Sequence, residues 1–347
     1  MARVFSKHWP MKRANNLLPR IEETDNLRLA FWKASKGKRY AAEVLAYQAQ
    51  LDERLLLLCK QIQEGVADVG AYRYFKVYEP KERQICASAF GEQVLHHALM
   101  NVCHDRFEKA QIYDSYASRK GKGTYAALER AQEFTRRYSW YLKLDVRQFF
   151  ASIHHGVMKS QLARLFKEQR LLSLFFQIID SYEAEPGRGV PIGNLTSQYF
   201  ANHCLSGLDH YIKEELGIAA YVRYMDDMVL WHDDKEALKA ACKAIDAYVS
   251  HQLRLALKPV QLNRCSSGVP FLGYRLFGSH RWLLQQSKRR FVRKINRALD
   301  AWDRLEMDDR RAAAHILPLL AFVKHADTRV FRKEVLLRRK RSNAQGL

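Results

Sequence analysis

The sequence lacks several features that would assign a protein to a broad class at once. Among its 347 residues, the longest purely aliphatic run is Leu55–Leu58, which is far too short to cross a bilayer. The basic start contains no apolar stretch followed by a cleavage site, so we expect no secretory signal. Internal repeats, low-complexity tracts and Gly/Ser linkers are also missing, and we therefore expect lobes that pack together.

Paired cysteines are missing as well. The six cysteines are scattered along the chain, and no two of them have the C-x-x-C spacing. This pattern argues against a disulfide framework and against a zinc site, and the histidines show no ligand spacing either. We therefore expect reduced thiols in a cytoplasmic protein that makes no use of a membrane.

Acidic residues are too few to balance the basic ones. The chain has 58 Lys and Arg against 37 Asp and Glu, a formal net charge of +21. A basic excess of this size indicates a polyanionic partner, most often nucleic acid. Residues 281–347 alone carry a net charge of +11. An anionic membrane surface is the competing explanation, but the terminal RRKRSNAQGL lacks the apolar face that membrane binding needs.

The hydrophobic pattern predicts an α+β protein with a central antiparallel sheet and helical lobes on both sides. Apolar spacing near 3.6 predicts helices within residues 21–65 and around 92–105, 156–168 and 195–216, a helix after Asp234, and a basic helix over 287–305. Alternating or β-branched runs predict a hairpin over 71–88, a strand in WYLKLDVRQFF, a hairpin around Asp226 and a strand in FLGYRLF.

Two adjacent carboxylates, Asp226 and Asp227, interrupt the apolar run YVRYMDDMVLW. Like charges this close are unfavourable unless a cation lies beside them. Asp145 lies in a similar strand-like run, LKLDVRQFF, and three strand-borne carboxylates are what a two-metal site requires. The ordinary alternative is that Asp145 pairs with a lysine and the other two end a surface hairpin. Two further Asp-Asp pairs, 233–234 and 308–309, fit a helix cap and a polar turn.

The YMDD segment, with LDVRQFF 81 residues upstream, closely resembles the palm motifs of reverse transcriptases. The resemblance extends from about Tyr72 to Tyr274 and implies a right-hand polymerase fold of fingers, palm and thumb. The expected division is an N-terminal helical extension over 1–65, fingers over 66–140, a palm over 141–278 and a basic helical thumb over 279–347.

The resemblance also implies roles at the catalytic centre. Asp145, Asp226 and Asp227 match the catalytic, metal-binding carboxylates, and the backbone carbonyl of Val146 matches an additional metal contact. The implied cofactor is Mg²⁺, with Mn²⁺ as a substitute. Phe150 matches the steric gate, where an aromatic ring would collide with a ribose 2′-hydroxyl. The ordinary alternative is a core aromatic beside Phe149.

Substrate contacts are implied in the same way. The resemblance places Arg119, Lys120, Ile192, Gly193 and Gln198 at the incoming nucleotide, although Lys120 could instead be a solvated loop charge. It places seven residues along the template and primer: Lys81, Arg83, Ser197, Tyr224, Met225, Leu272 and Gly273. Arg119 has a physical basis too, because a guanidinium beside glycine-flanked backbone suits phosphate oxygens. Lys258 stands next to a proline, but we assign it no role in protonating pyrophosphate.

The segment PIGNLTSQ departs from most reverse transcriptases, because Ile192 replaces a glutamine and Gln198 replaces a proline. This form is similar to the enzymes of diversity-generating retroelements. That resemblance implies error-prone copying of a template RNA into cDNA, with errors at adenines, for diversification of a target gene. The implied partners are the template RNA, the cDNA or primer, dNTPs and a small basic accessory protein.

Two alternatives stay open from the sequence. One is a group II intron, retron or phage-defence reverse transcriptase. The other is a catalytically inactive RNA-binding protein on the same fold, which the intact Asp145, Asp226 and Asp227 argue against.

Overall fold

The computed structural model describes residues 12–78, 82–335 and 337 of the chain. Its strands form three antiparallel sheets with helices around them, so the expected α+β class is confirmed. In chain order the strands are β1 Tyr72–Tyr78, β2 Glu82–Ser88, β3 Trp140–Asp145, β4 Tyr221–Tyr224, β5 Asp227–His232, β6 Gln261–Arg264, β7 Val269–Phe271, β8 Tyr274–Leu276 and β9 Arg281–Leu283.

The helices precede, separate and follow these strands. They are α1 Leu18–Glu22, α2 Thr24–Ser35, α3 Ala42–Ala49, α4 Leu51–Glu64, α5 Phe90–Lys109, α6 Thr124–Arg137, α7 Phe149–Ser152, α8 His155–Leu165, α9 Gln169–Asp180, α10 Leu195–Cys204, α11 Ser206–His210, α12 Lys235–His251, α13 Gln285–Asp303 and α14 Asp309–Lys324. A π-helical turn, Tyr211–Glu215, continues α11, a 3-10 turn spans Cys265–Ser267, and residues 329–335 are again helical.

A four-stranded antiparallel sheet lies at the centre, as the sequence predicted, with the strand order β4-β5-β3-β6. Side chains alternate between the two faces of each strand. Leu142 of β3 and Leu230 of β5 belong to the larger hydrophobic core, which the helices build on one face. Tyr141 and Trp231 belong to a second core on the other face, with α6, β7–β9 and α13.

The N-terminal region is helical as predicted, and Gln50 separates its last two helices, α3 and α4. The division lets α3 pack against α5 while α4 packs against α1, α2 and α9. Gly65 ends α4 in the left-handed conformation, at φ 69°, which glycine adopts without a steric penalty. Helices α1–α4 therefore share the larger core with α5 and α8–α12, and the expected domain boundary at residue 65 stays a prediction.

One predicted element was wrong. The segment FLGYRLF, expected as a single strand, is the end of β7, a tight turn and β8. Leu272 and Gly273 form the turn with φ values of 48° and 89°. A positive φ at both positions reverses the chain, so alternation alone could not reveal this hairpin.

The remaining expectations concern single residues. Asp234 caps α12 by accepting a hydrogen bond from the Glu236 backbone, and Asp308 caps α14 by accepting one from Arg311. The six cysteine side chains are free thiols. No helix among the described residues combines the length and the apolar character that a membrane span requires.

We predict that Phe107→Ala lowers the free energy of unfolding by about 3–5 kcal/mol, measured by urea denaturation. Phe107 is 3% exposed, and its ring packs within 6.4 Å of the rings of Phe166, Phe175 and Phe200. The substitution removes this ring and leaves a cavity. The control is Tyr40→Ala, because Tyr40 is 93% exposed and its loss should change stability by less than about 0.5 kcal/mol. Equal effects of the two substitutions would contradict the prediction.

Candidate active site

Three aspartates meet at one end of the central sheet. Asp145 is the last residue of β3, and Asp227 is the first residue of β5. The antiparallel register places these two directly opposite each other. Met225 and Asp226 form the two-residue turn between β4 and β5, so Asp226 lies beside the same strand end. The sheet therefore brings together all three carboxylates identified in the sequence.

Two lysines neutralise part of this negative charge. The Lys143 ammonium donates to Asp227 Oδ1. The Lys258 ammonium donates to Asp145 Oδ1 at 2.6 Å, and the Lys258 backbone N–H donates to the Asp145 carbonyl at 2.8 Å. The ordinary alternative for Asp145, a lysine partner, is thus what the structure contains. It is compatible with a metal site, because an ammonium group offsets the same repulsion that a cation would.

Burial makes the charged state of the carboxylates unfavourable. It raises the pKa of Asp226 to about 6, with a further contribution from the nearby Asp145 carboxylate. Burial also raises the pKa of Asp227, and the Lys143 ammonium opposes that shift. The site therefore has an excess of negative charge that its own lysines do not fully offset.

The donor set fits a hard divalent cation, because carboxylate oxygens are what Mg²⁺ prefers. Among the described residues, however, no three His, Cys, Asp or Glu side chains already form a cluster shaped for a metal ion. Asp145 and Asp227 point to lysines instead. Val146, the predicted backbone ligand, is buried and bridges Leu257 beside Asp145. Each lysine contacts only Oδ1 of its carboxylate, so Oδ2 of Asp145 and of Asp227 is the oxygen that could reach a metal ion.

Phe150 and Phe149 differ in their surroundings. Phe149 is 3% exposed and belongs to the larger core. Phe150 is only partly buried, and the two rings meet edge to face at 5.8 Å. They follow Asp145 and a left-handed Gln148, at φ 45°, in the short helix α7. Phe149 therefore takes the core position, and Phe150 remains the candidate for the steric gate.

The segment 192–198 docks against the β1–β2 hairpin. The Cys86 backbone N–H of β2 donates to the Ile192 carbonyl at 2.9 Å. Gly193 has φ 138°, and a Cβ at this position would lie 2.5 Å from the Cys86 carbonyl oxygen, so only glycine fits. Ser197 is 1% exposed and thus contacts protein in this conformation. Gln198 is half-buried and accepts a hydrogen bond from Ser118 at 3.4 Å.

The Arg119 guanidinium is directed into the protein. It donates twice to Glu108, at 2.9 and 2.7 Å, and to the carbonyls of Ile112 and Ser115 at 2.5 and 2.7 Å. Its side chain is only 8% exposed. In this conformation Arg119 holds its own loop together, whereas Lys120 next to it is exposed. The predicted contact of Arg119 with a triphosphate would require the guanidinium to leave these partners.

The predicted template and primer residues lie in three places. Lys81 lies outside the described residues, and Arg83 lies in β2 opposite Val77. Tyr224 ends β4, and its hydroxyl accepts a hydrogen bond from Thr124 at 3.3 Å. Met225 lies in the two-residue turn between β4 and β5 and adopts the left-handed conformation, at φ 55°. The turn formed by Leu272 and Gly273 adjoins the carboxylates, because the Leu272 backbone hydrogen-bonds to Asp227.

Sequence reasoning missed three residues that shape the site: Lys143, Arg223 and Asp209. Lys143 had a usable signal, because it stands two residues before Asp145 and therefore on the same face of the strand. Arg223 also had a usable signal, because it is a charged residue in a buried strand, two residues before the Met225–Asp226 turn. Asp209 had none, because its position beside Arg223 depends on the path of the chain through α11.

Comparison with known proteins places this geometry in context. The family model described as reverse transcriptase (RNA-dependent DNA polymerase) matches residues 81–276, more than half of the chain. A relative, Protein YkfC of Escherichia coli (strain K12), is 22% identical over an alignment of 279 residues that covers 66% of this chain and 72% of that protein.

Solved telomerase structures are also similar. The apo telomerase of Candida tropicalis truncated from its C-terminal domain is 13% identical, with a TM-score of 0.49 and coverage of 61% of this chain and 55% of that one. The telomerase of Candida albicans with a fragment of telomeric RNA is 10% identical, with a TM-score of 0.47 and coverage of 69% and 52%. The chain spans about half the length of these telomerase chains.

We predict that Asp226→Asn stabilises the protein in EDTA at pH 8 by roughly 1–2 kcal/mol, measured by chemical denaturation. The pKa of Asp226 is raised to about 6 in the folded state, so its ionisation opposes folding above that pH. The gain should shrink as the pH falls through 6, where the folded chain takes up the proton, and should disappear only below the ordinary pKa of 3.8, where the unfolded chain is protonated as well.

The control for this prediction is Asp52→Asn. Asp52 is an aspartate whose side chain is 82% exposed, so its substitution should change stability little at either pH. A destabilised Asp226→Asn protein at pH 8 would show that the three carboxylates do not repel one another.

Proposed function

We propose that this chain, which belongs to the reverse transcriptase family, is an RNA-directed DNA polymerase that adds deoxynucleotides to a primer 3′-hydroxyl. The observation that carries the proposal is the meeting of Asp145, Asp226 and Asp227 at one strand end of the central sheet. The family match also gives the chain the right-hand fold of fingers, palm and thumb. An RNA-binding protein that had lost catalysis would not need three mutually repelling carboxylates.

Asp145, Asp226 and Asp227 would hold the divalent ions, Mg²⁺ or in its place Mn²⁺, with the Val146 carbonyl as a further ligand. When bound, such ions lower the barrier by activating the 3′-hydroxyl and stabilising the leaving pyrophosphate. In their absence, Lys143 and Lys258 hold the carboxylates by ion pairs. The two lysines offset part of the negative charge at this strand end, and each contacts only Oδ1 of its carboxylate.

Other residues would orient the substrates. Phe150 is partly buried beside Phe149, and its ring would exclude a ribose 2′-hydroxyl. The turn of Leu272 and Gly273 would support the primer end, because the Leu272 backbone reaches Asp227. Lys120 is exposed in the loop between α5 and α6, residues 110–123, which we call the fingers loop. Its ammonium would contact the triphosphate. Arg119 would do so only after leaving Glu108.

The thumb offers a surface for the template–primer duplex. Helix α13 buries Phe291 and Ile295, and three arginines on its exposed side follow one another at intervals of four residues: Arg289, Arg293 and Arg297. Residues four apart lie on one helix face, so the three guanidinium groups form a cationic stripe. Such a stripe suits the phosphates of a template RNA and its cDNA or primer.

We further propose that the enzyme belongs to a diversity-generating retroelement and copies its template RNA with frequent errors at adenines. The support is Ile192 and Gln198, which stand where most reverse transcriptases have glutamine and proline. The Ile192 carbonyl accepts a hydrogen bond from the Cys86 backbone of β2, and the residue is half-buried. A small basic accessory protein is the expected partner. Group II intron, retron and phage-defence enzymes are the alternatives.

We predict that Asp145→Asn abolishes Mg²⁺-dependent primer extension on an RNA template, because one of the metal-binding carboxylates is lost. We expect a loss of at least about 10³-fold in the rate of nucleotide addition. The measurement is single-nucleotide extension of a labelled primer, and Asp52→Asn, at an exposed position, is the matched control. Extension by the folded Asp145→Asn protein at the parental rate would refute the assignment of the site.

We predict that misincorporation opposite template adenine exceeds that opposite the other bases, and that Ile192→Gln narrows the difference. A glutamine can donate a hydrogen bond near the nascent pair, and a contact of about 1–2 kcal/mol changes error rates roughly 5- to 30-fold. The measurement is deep sequencing of cDNA made on one RNA containing all four bases, with the accessory protein supplied if required.

Ile192→Val is the control for this experiment, because it keeps the side chain apolar and should preserve the error pattern. Error rates that are low and equal at all four template bases would reject the diversity-generating assignment. They would leave the polymerase assignment intact.

A further inference from the structure

A buried ion pair lies directly behind the catalytic turn. The side chains of Arg223 in β4 and Asp209 in α11 are both 0% exposed. Arg223 Nε donates to Asp209 Oδ1 at 2.7 Å, and Nη2 donates to Oδ2 at 2.5 Å. The Tyr221 hydroxyl adds a third hydrogen bond to Asp209, at 2.8 Å. This geometry is the planar, two-pronged contact that arginine makes with a carboxylate and that lysine cannot reproduce.

The rest of the guanidinium is satisfied as well. Its Nη1 donates to Asn202 Oδ1 at 2.8 Å and to the Met225 carbonyl at 3.1 Å. Its Nη2 also donates to Gln111 Oε1 at 2.9 Å and to the Asn202 carbonyl at 3.2 Å. A guanidinium has five N–H groups in a fixed plane, so this many partners leaves it little freedom to move.

The hydrogen bond to the Met225 carbonyl is the one that connects Arg223 to the carboxylate site. Met225 precedes Asp226 in the two-residue turn and adopts a left-handed conformation, at φ 55°. A non-glycine residue holds this conformation only where the surrounding structure imposes it. The Arg223 guanidinium fixes the carbonyl of this residue, and thereby the direction in which the chain enters Asp226.

The same pair connects the turn to two other segments. The Arg223 backbone N–H donates to the Asp114 carbonyl, and the Arg223 carbonyl accepts from Tyr116, so β4 is joined to the fingers loop. Asn202 of α10 accepts from Arg223 and donates to the Ala117 carbonyl at 2.6 Å. The fingers loop, helix α10 and the catalytic turn therefore share one buried polar network.

Stability alone does not explain such a pair. Burying two charges is unfavourable, and apolar side chains of similar volume would stabilise a core at least as well. What apolar side chains could not do is hold a backbone carbonyl in a required direction. The ion pair is therefore better suited to orient the turn than to stabilise the core.

We propose that Arg223, held by Asp209, is a positioning residue that sets the Met225–Asp226 turn so that Asp226 can share a metal ion with Asp145. The inference rests on the proposed polymerase function. Neither residue touches a substrate, and both act through the turn.

The test compares two variants. Arg223→Lys keeps the buried charge. The lysine ammonium has fewer donors than the guanidinium, and they do not lie in one plane, so it cannot contact Met225, Asn202 and Gln111 at the same time. The double variant Arg223→Met with Asp209→Leu removes both charges, so it leaves no unpaired ion and should remain folded. Thermal unfolding establishes that each protein is folded before it is assayed.

The first readout is metal affinity, measured without substrate by titrating Mn²⁺ and following free Mn²⁺ by electron paramagnetic resonance. Loss of a residue that orients a metal ligand typically weakens binding, so we expect about 10-fold weaker binding in both variants. The second readout is primer extension. We expect kcat to fall about 10- to 100-fold, because a small displacement of Asp226 misaligns the reacting groups, with the KM for dNTP changed less than about 3-fold.

The control for a purely structural effect is Ile62→Ala, which removes a fully buried side chain of α4, a helix that packs against α1, α2 and α9. Assayed at a temperature where it is folded, it should keep the parental Mn²⁺ affinity and kcat. Folded Arg223 variants that bind Mn²⁺ as tightly as the parent would overturn the positioning role. A parent that binds Mn²⁺ normally but never extends a primer would instead overturn the proposed function, since the metal titration is independent of polymerisation.

Discussion

Repulsion among three carboxylates is the constraint on which the rest of this structure depends. Asp145, Asp226 and Asp227 lie at one end of the central sheet, where burial raises the pKa of both Asp226 and Asp227. Lysines from two elements offset part of the charge, one within β3 and one after α12. The strand register, the Met225–Asp226 turn and the Arg223–Asp209 ion pair behind it hold these three carboxylates close together despite their repulsion. Carboxylates held this close together are unfavourable unless a cation lies beside them, and carboxylate oxygens are the ligands that a hard divalent cation prefers.

The segments around the carboxylates are joined by close backbone contacts rather than by flexible linkers. Gly193 approaches the Cys86 carbonyl so closely that no side chain fits between them, which fixes helix α10 to the β1–β2 hairpin. Asn202, further along α10, reaches the fingers loop and the Arg223 guanidinium. Helix α10 thus connects the β1–β2 hairpin to the Met225–Asp226 turn, so a shift of the hairpin would displace the turn through this helix.

Much of the site was predictable because strand pairing is regular. An apolar run interrupted by Asp226 and Asp227, and a second run containing Asp145, were enough to propose that the three carboxylates meet. Residues remote in the sequence were harder. Lys143 lies on the same strand face as Asp145 and was available to pattern reasoning, whereas Asp209 lies in a helix with no signal of its own. The FLGYRLF segment was predicted as one strand because its apolar alternation continues through the turn, where Leu272 adopts a positive φ that leucine rarely takes.

The sequence by itself determined the α+β class, the three strand-borne aspartates and the basic character of the C-terminal region, because these follow from local periodicity, residue type and charge. Only the tertiary structure decided which partner each charged group has. Arg119 resembled a nucleotide contact, yet folding brings it against Glu108 and two backbone carbonyls. Arg223 has no identifiable partner in the sequence, yet folding encloses it with Asp209 and brings its guanidinium to the Met225 carbonyl. Such pairings depend on how distant segments pack, and a buried charge takes whichever partner the packing supplies.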